Sequence, residues 1–195
     1  MMDKVISDIK KELRAAMNGI ASKAMRDAGM TADYRVNFGV DLPRLQSLAE
    51  DISANMLPEG DDREEQRARL AQRLWKESVR ECRILATMLY PTERMDMELA
   101  DVWAETVRTV EIAQIAALHL FSKIPDASSL AFRWMAADDE MRQILGFYTV
   151  FHVVRNRMLS ERSKDELRDQ AETALISKSP QLKAVAGKVL LLLDA

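Results

Sequence analysis

The chain is poor in cysteine, glycine, proline, histidine and aromatic residues. Its 195 residues include one Cys, six Gly, five Pro and two His, and 6% of them are aromatic. One cysteine cannot form an internal disulfide, which favours a reducing, cytoplasmic compartment. Six scattered glycines provide no loop that could cradle a phosphate. Neither histidine has a second metal ligand at helical spacing, so we predict no metal and no other cofactor.

The sequence also lacks a long apolar run and a large excess of either charge. Its longest apolar run, around Val189–Leu193, is far shorter than the ~20 residues of a membrane span. Met1–Arg14 is charged and amphipathic and has no apolar core of a secretion signal. We therefore predict no membrane contact and a cytoplasmic location. The net charge of −3 gives no overall reason to expect nucleic acid as a partner.

What the chain does have is an apolar period close to 3.6 residues along nearly its whole length, which predicts an all-α protein. Proline, glycine and polar turns divide it into about ten helices. The expected helices are Met2–Met30, Leu42–Met56 capped by Asp41, a segment from Asp61 or Asp62 through Trp75, a segment through Val79 to Leu89, Arg94–Trp103, Val107–Lys123, Ala127–Ala136, Asp138–Val154, Lys164–Ile176 and Pro180–Leu193.

The breaks between helices recur at a nearly constant spacing. Pro58, Pro91 and Pro125 are 33 and 34 residues apart. A helix pair that repeats at this period is typical of an α-solenoid, in which each pair buries its apolar stripe against its neighbours. We expect one domain over residues 1–195 with this architecture. The alternative is an irregular helical bundle, whose loops would also fall about every 30 residues.

Charge is unevenly distributed along the chain. Residues 63–83 hold seven basic and four acidic residues, whereas residues 92–141 hold ten acidic and four basic ones. A row of cations at steps of three and four could follow a phosphate backbone if its helix were continuous. The alternative, which charge alone favours, is a solvated face of ion pairs. The row consists of Arg69, Arg73, Lys76, Arg80 and Arg83.

A few side chains could carry chemistry, and each has a structural alternative. Cys82 would need a neighbouring base to act as a nucleophile. His119 and His152 lie in apolar stretches, which favours core or edge positions. Glu111 lies between apolar residues, where it could stabilise a developing positive charge or pair with Arg108. The three tryptophans are interpreted as core residues: Trp75, Trp103 and Trp134.

Three segments resemble the DNA alkylation repair proteins of the AlkD type. VNFGVDLPRLQSLAEDI, which begins at Val36, is similar to the stretch after their first helix. ARLAQRLWKESVRECRILATMLY, which begins at Ala68, is similar to their Leu-Trp and Arg-Glu block. LAFRWMAADDEMRQILGFYTVF, which begins at Leu130, resembles a later segment. The resemblance extends from about Leu13 to Val154.

This resemblance implies a right-handed α-α superhelix of about five HEAT-like antiparallel helix pairs that holds duplex DNA. It further implies hydrolysis of the N-glycosidic bond of alkylated purines, with a carboxylate stabilising the oxocarbenium-like sugar. The catalytic carboxylate of the family falls at Glu111, and a phosphate-contacting Arg falls near Arg142 or Gln143. A family Trp falls at Val107, and no Trp follows Trp134.

Three hypotheses follow. The first is a DNA glycosylase that uses Glu111 for catalysis and binds DNA phosphates with a set of basic residues. The second is a member of the family that binds DNA without cutting it. The third is a catalytically inactive HEAT-like scaffold for a protein or peptide partner, which the acidic middle of the chain favours. The predicted DNA-binding residues are Arg69, Arg73, Lys76, Arg80, Arg83, Arg108 and Arg142.

Overall fold

The computed structural model describes residues 2–31, 33–57, 62–156 and 159–195, and this part of the chain is built from α-helices and short helical turns. A single pair of extended residues, Val36 and Val79, forms an isolated parallel bridge. The α-helices are α1 Met2–Ala15, α2 Gly19–Asp27, α3 Leu42–Asp51, α4 Arg63–Trp75, α5 Arg80–Leu89, α6 Met97–Ala104, α7 Val110–His119, α8 Ala127–Met135, α9 Glu140–Arg155, α10 Glu161–Ala174 and α11 Pro180–Leu193.

The predicted long helix over Met2–Met30 is wrong, because the chain breaks between α1 and α2. The Asn18 side chain accepts a hydrogen bond from the Ala21 N–H and so caps a new helix that begins at Gly19. Met17 and Ile20, which continue the apolar pattern of α1 in the sequence, are 56% and 86% exposed. The buried stripe of the first helix ends at Leu13.

Aspartate caps begin several of the other helices, as the sequence indicates. Asp41, Asp62 and Asp139 each accept a hydrogen bond from the backbone N–H three residues later, at 2.7–2.8 Å. The predicted break at Pro58 and Gly60 lies outside the described residues, as does the alternative cap Asp61. Shorter differences occur at α6 and α7, which begin three residues later than expected because their caps are Asp96 and Thr109.

The helices form two compact units, residues 1–94 and 95–195. A single domain over residues 1–195 stays a prediction. Among the described residues, no helix is both long enough and apolar enough to cross a membrane. In the first unit, α4 packs on α5, and α5 packs on α3. α1 runs in the same direction as α4, because Asp3 pairs with Arg73 and Lys10 pairs with Glu77.

A buried carboxylate holds the loop between α2 and α3 in the first unit. Glu81, in the first turn of α5, is fully buried. Its Oε1 accepts hydrogen bonds from the N–H groups of Gly39 and Val40 at 2.9 and 3.3 Å, and its Oε2 accepts one from Phe38 at 3.1 Å. The Arg80 guanidinium donates to the same Oε1 at 3.0 Å and to the Val40 carbonyl at 3.1 Å. This pair therefore fixes the loop to the start of α5.

In the second unit, α7, α9 and α11 form one layer, since α9 packs on both of its neighbours. Gln114 donates a 2.6 Å hydrogen bond to the Tyr148 hydroxyl, 34 residues later and close to the predicted repeat. Ser179, at the start of α11, donates to Glu140 at the start of α9 at 2.6 Å, and Lys188 lies 5.8 Å from the Tyr148 ring centroid. The contacting residues are separated by nearly the same number of positions in both pairs, so α9 and α11 run in the same direction.

Helix α8 covers the other side of this layer by packing closely on α9. A Cβ added at Gly146 would lie 2.7 Å from the Met135 N and 2.8 Å from the Ala131 O, so only glycine permits this approach. All three tryptophans are buried, which confirms their assignment to the core. The Trp134 indole donates a 2.7 Å hydrogen bond to Asp101, whose other oxygen accepts from Arg133 at 2.5 Å.

Candidate nucleic-acid interface

The exposed face of the α7–α9–α11 layer carries the predicted site residues of the second unit at one end. Thr109 caps α7 by accepting from the Ile112 N–H at 3.3 Å, which sets Glu111 in the first turn with its side chain half-buried. Arg108 precedes the cap and is exposed. Arg142 extends from the first turn of α9 toward the chain before α7, where its Nη2 lies 3.5 Å from Glu105.

Val107, at the position where the AlkD-type proteins carry a tryptophan, is 2% exposed. It therefore contributes to the core and offers no aromatic surface beside Glu111. The site at this end combines two carboxylates, Glu105 and Glu111, with the guanidinium groups of Arg108 and Arg142. This combination can contact phosphates and stabilise a cationic sugar, but it has no stacking partner at residue 107.

The middle of the face is polar and rests on the Gln114–Tyr148 hydrogen bond. The Tyr148 ring is mostly buried, and the Lys188 ammonium lies against it. A lysine in this position holds its charge at the surface while its stem covers an aromatic ring. The middle of the face therefore contributes a further cation.

The far end of the face carries four basic side chains, here called the cationic cluster: His119, Lys123, His152 and Arg155. His119 and His152 are half-buried near the ends of α7 and α9. Burial, followed by the positive charges of Arg155, His119 and Lys123, lowers the pKa of His152. Burial and the charge of Lys123 lower the pKa of His119. The two histidines thus occupy edge positions, as their apolar surroundings predict.

Sequence reasoning missed this cluster as a functional candidate. The available signal was spacing: the two histidines are 33 residues apart, close to the repeat. Glu105 contacts Arg142 and Gln114 contacts Tyr148, so α7 and α9 run in the same direction. The spacing of the two histidines therefore places both imidazoles at the same end of the layer. Phe151 organises the α9 side of the cluster, with the His152 ring edge-on at 5.3 Å and the Arg155 guanidinium 5.9 Å from its centroid.

The predicted basic row of residues 69–83 does not form one continuous face, because α4 ends at Trp75 and α5 begins at Arg80. Arg69 and Arg73 are exposed and pair with carboxylates, Arg69 with Glu65 at 2.7 Å. Lys76 is exposed just after the end of α4. The role of these three residues in DNA binding stays a prediction, and the ion pairs agree with the solvated-face alternative.

The prediction that Arg80 contacts phosphates is wrong. Its side chain is buried at 1% residual exposure, and its guanidinium is held by Glu81 and the Val40 carbonyl. A phosphate cannot reach it while this loop stays in place. Arg83 lies half-buried with its guanidinium 5.2 Å from the Trp75 ring centroid, and its contact with DNA stays a prediction.

Cys82 is buried in the first unit and is a poor nucleophile. Burial, followed by the nearby charge of Glu77, raises the pKa of its thiol to about 12. The thiolate, which is the reactive form, is therefore scarce at neutral pH. Within the described part of the chain, no group of three or more His, Cys, Asp or Glu side chains is arranged to hold a metal ion.

Comparison with known proteins finds a matching family and a similar solved structure. The family described as DNA alkylation repair enzyme matches residues 9–190. A solved structure from a new family of proteins related to the HEAT-like repeat DNA glycosylases, with affinity for branched DNA structures, superposes with a TM-score of 0.80. The two sequences are 16% identical, and the match covers 95% of this chain and 74% of the other. No curated protein matches the sequence. The structural match confirms the predicted fold class, all-α with HEAT-like helix pairs.

Proposed function

Because the chain belongs to the DNA alkylation repair enzyme family, we propose that it binds DNA along the exposed face of the α7–α9–α11 layer. The observation that best supports this proposal is how the cations on that face are paired. None of the ion pairs within the described residues includes Arg108, Lys123, Arg155 or Lys188. Cations without carboxylate partners are available to phosphate oxygens.

Several basic residues elsewhere in the chain are instead held in ion pairs. Arg69, Arg94, Arg133 and Arg168 each lie within 2.8 Å of a carboxylate oxygen. A surface ion pair must be broken before its cation binds a phosphate, and this cost reduces the favourable free energy of binding. The face of the α7–α9–α11 layer therefore provides the DNA-binding positions, with Arg108 at one end and Lys188 in the middle. Arg142, at the same end as Arg108, has to leave Glu105 to bind a phosphate.

The form of the bound DNA is the next question, since the structurally similar protein comes from a family with affinity for branched DNA structures. We include both forms in the test. Fluorescence anisotropy with a labelled linear duplex and a labelled four-way junction should give salt-dependent binding to each, and tighter binding to the junction would extend that property to this chain.

A matched pair of variants tests the location of the interface. Replacing Arg108 and Lys188 by Ala should reduce the slope of log K against log salt by about two, because each removes one phosphate contact. The control replaces the exposed Lys178 and Lys183 by Ala. Lys178 precedes α11, and Lys183 lies five residues, about 140° around the helix, from Lys188, so this change removes the same charge from positions not assigned to the interface and should leave the slope unchanged. No measurable affinity at low salt would reject DNA binding and leave a protein or peptide scaffold as the function.

Glycosylase activity is a second candidate, and the position of Glu111 supports it. Its carboxylate stands half-buried at the N-terminal turn of α7, where the resemblance places the catalytic carboxylate of the family. There it would stabilise the positive sugar as the alkylated base departs. The test is release of 7-methylguanine from methylated duplex DNA by the wild type and by Glu111→Gln. Full activity in the variant would remove Glu111 from the mechanism, and no activity in the wild type would leave a binding function alone.

A further inference from the structure

The cationic cluster gathers four basic side chains at one end of the α7–α9–α11 layer, opposite the end that carries Glu111. Lys123 follows from the helical turn Phe121–Lys123, which packs on both α7 and α9. The charges of Lys123 and Arg155 both act on His152. Side chains of like charge repel one another at this proximity, so an anion bound among them would relieve that repulsion.

We propose that the cationic cluster is an anion-binding subsite that takes a backbone phosphate of DNA, with both imidazoles protonated in the complex. This inference rests on the proposed DNA-binding function and adds a second contact region at the end away from Glu111. It assigns His119 and His152 a role in binding, and it makes the affinity for DNA depend on pH.

The charged groups that act on the two imidazoles are basic: His119 from α7, Lys123 from the turn after it, and Arg155 from α9 itself. On α11, Lys188 lies against Tyr148, and Asp194 at its end pairs with Arg168. Glu161 of α10, which lines the same pocket as Arg155, pairs with Lys164, and Arg133 of α8 pairs with Asp101. No carboxylate is among the groups that shift the pKa of either histidine. An anion from outside the chain is therefore the complementary partner.

The ring of Phe151 contacts two members of the cluster and restricts their geometry. His152 meets the Phe151 ring edge-on, and the Arg155 guanidinium lies over the same ring. Stacking on a ring restricts a guanidinium and leaves its in-plane N–H groups available for an oxyanion. The subsite is thus partly organised before an anion binds.

The sign of the pH dependence follows from the electrostatics. In the absence of an anion, burial and the neighbouring cations lower the pKa of both histidines, so the imidazoles are mostly neutral at pH 7. A bound phosphate favours the protonated form and raises both values. Binding then takes up protons, and affinity for DNA increases as the pH falls.

The test uses the full-length protein, free of any histidine tag, whose two histidines give two imidazole signals in a proton–carbon NMR spectrum. Both signals are titrated with pH in sodium chloride, in inorganic phosphate at equal ionic strength, and with a short DNA duplex. We expect the duplex and phosphate to raise the pKa of both imidazoles by about one unit each, and the affinity for duplex to rise roughly tenfold or more from pH 7.5 to 5.5. His119→Gln and His152→Gln assign the signals.

Two variants complete the design. The double variant His119→Gln/His152→Gln should lose the pH dependence of duplex binding. Lys123→Ala/Arg155→Ala should lower the salt slope by about one relative to Lys178→Ala/Lys183→Ala, because the cluster takes one phosphate. The wild-type titration needs no variant, so a variant that fails to fold leaves the test intact.

The possible results separate this inference from the proposed function. If the duplex binds and neither imidazole pKa moves, the subsite is overturned while DNA binding stands. If inorganic phosphate raises both values but the duplex does not bind, the cluster is a site for small anions, and both DNA as its occupant and the proposed function fail. If neither probe binds, both proposals are rejected.

Discussion

Removing the buried carboxylate of Glu81 should destabilise the first unit strongly. The Glu81→Ala change removes the acceptor for three backbone N–H groups, those of Phe38, Gly39 and Val40. It also removes the carboxylate that lies 3.0 Å from the buried Arg80 guanidinium. Both effects occur at a position with no solvent exposure, so water cannot replace the lost acceptor without opening the loop.

The magnitude follows from the cost of each lost contact. Breaking a buried ion pair by removing one partner costs about 3–5 kcal/mol. Each buried donor left unsatisfied costs about 1–3 kcal/mol, and these costs overlap because the loop relaxes. We therefore expect Glu81→Ala to lower the free energy of unfolding by about 4 kcal/mol. A chain of this size loses about 2–4 °C in Tm per kcal/mol, which gives a decrease of roughly 8–16 °C.

Urea denaturation and thermal unfolding followed by circular dichroism provide the measurement. The matched control is Glu77→Ala, which removes a half-exposed carboxylate 2.9 Å from Lys10 and should cost less than about 1 kcal/mol. If Glu81→Ala and Glu77→Ala are equally stable, Glu81 does not hold the loop as described, and the interpretation of Arg80 as a structural residue fails with it.

Three further predictions concern stability and reactivity. Gly39→Ala should lower the free energy of unfolding by at least about 2 kcal/mol, because Gly39 has a φ of +69° and an added Cβ would lie 2.4 Å from the Asn18 O. Gly187→Ala is the control in the same denaturation assay: Gly187 has open space around it, so this variant should be as stable as the wild type or more stable. Asp101→Ala should cost about 1–3 kcal/mol by removing the acceptor of the buried Trp134 indole, visible as a lower urea midpoint, whereas an unchanged midpoint would exclude that bond as a stabilising contact. Iodoacetamide at pH 8 should label Cys82 only after unfolding, since its pKa in the folded chain is about 12, and rapid labelling of the native protein would contradict its burial.

Much of the fold could be predicted from the sequence because its signals are local. Apolar periodicity indicates helices, and the side chains of Asp41, Asp62 and Asp139 mark where three of them begin. The break between α1 and α2 was missed because Met17 and Ile20 continue the apolar pattern of Leu13 past the end of the helix. The Asn18-Gly19 dipeptide is a turn signal that could have indicated it.

The candidate site was harder to predict because its contacts are not local. In the sequence, Arg80 looks like one member of a basic row. Its burial cannot be predicted from that pattern, because it depends on donors and acceptors in a loop some 40 residues away. The apolar residues Ile84, Leu85 and Ala86, which follow soon after Arg80, are a sign that the start of α5 enters the core. His119 and His152 read as isolated core residues, and only the parallel packing of α7 and α9 brings them together.

Backbone NMR of the isotope-labelled protein, titrated with a short duplex, shows whether DNA lies on the exposed face of the α7–α9–α11 layer. The signals of Arg108, Gln114, His152 and Lys188 should shift, while those of Lys178 and Lys183 should stay in place. Shifts confined to other surfaces, with that face unchanged, would contradict this placement of the DNA.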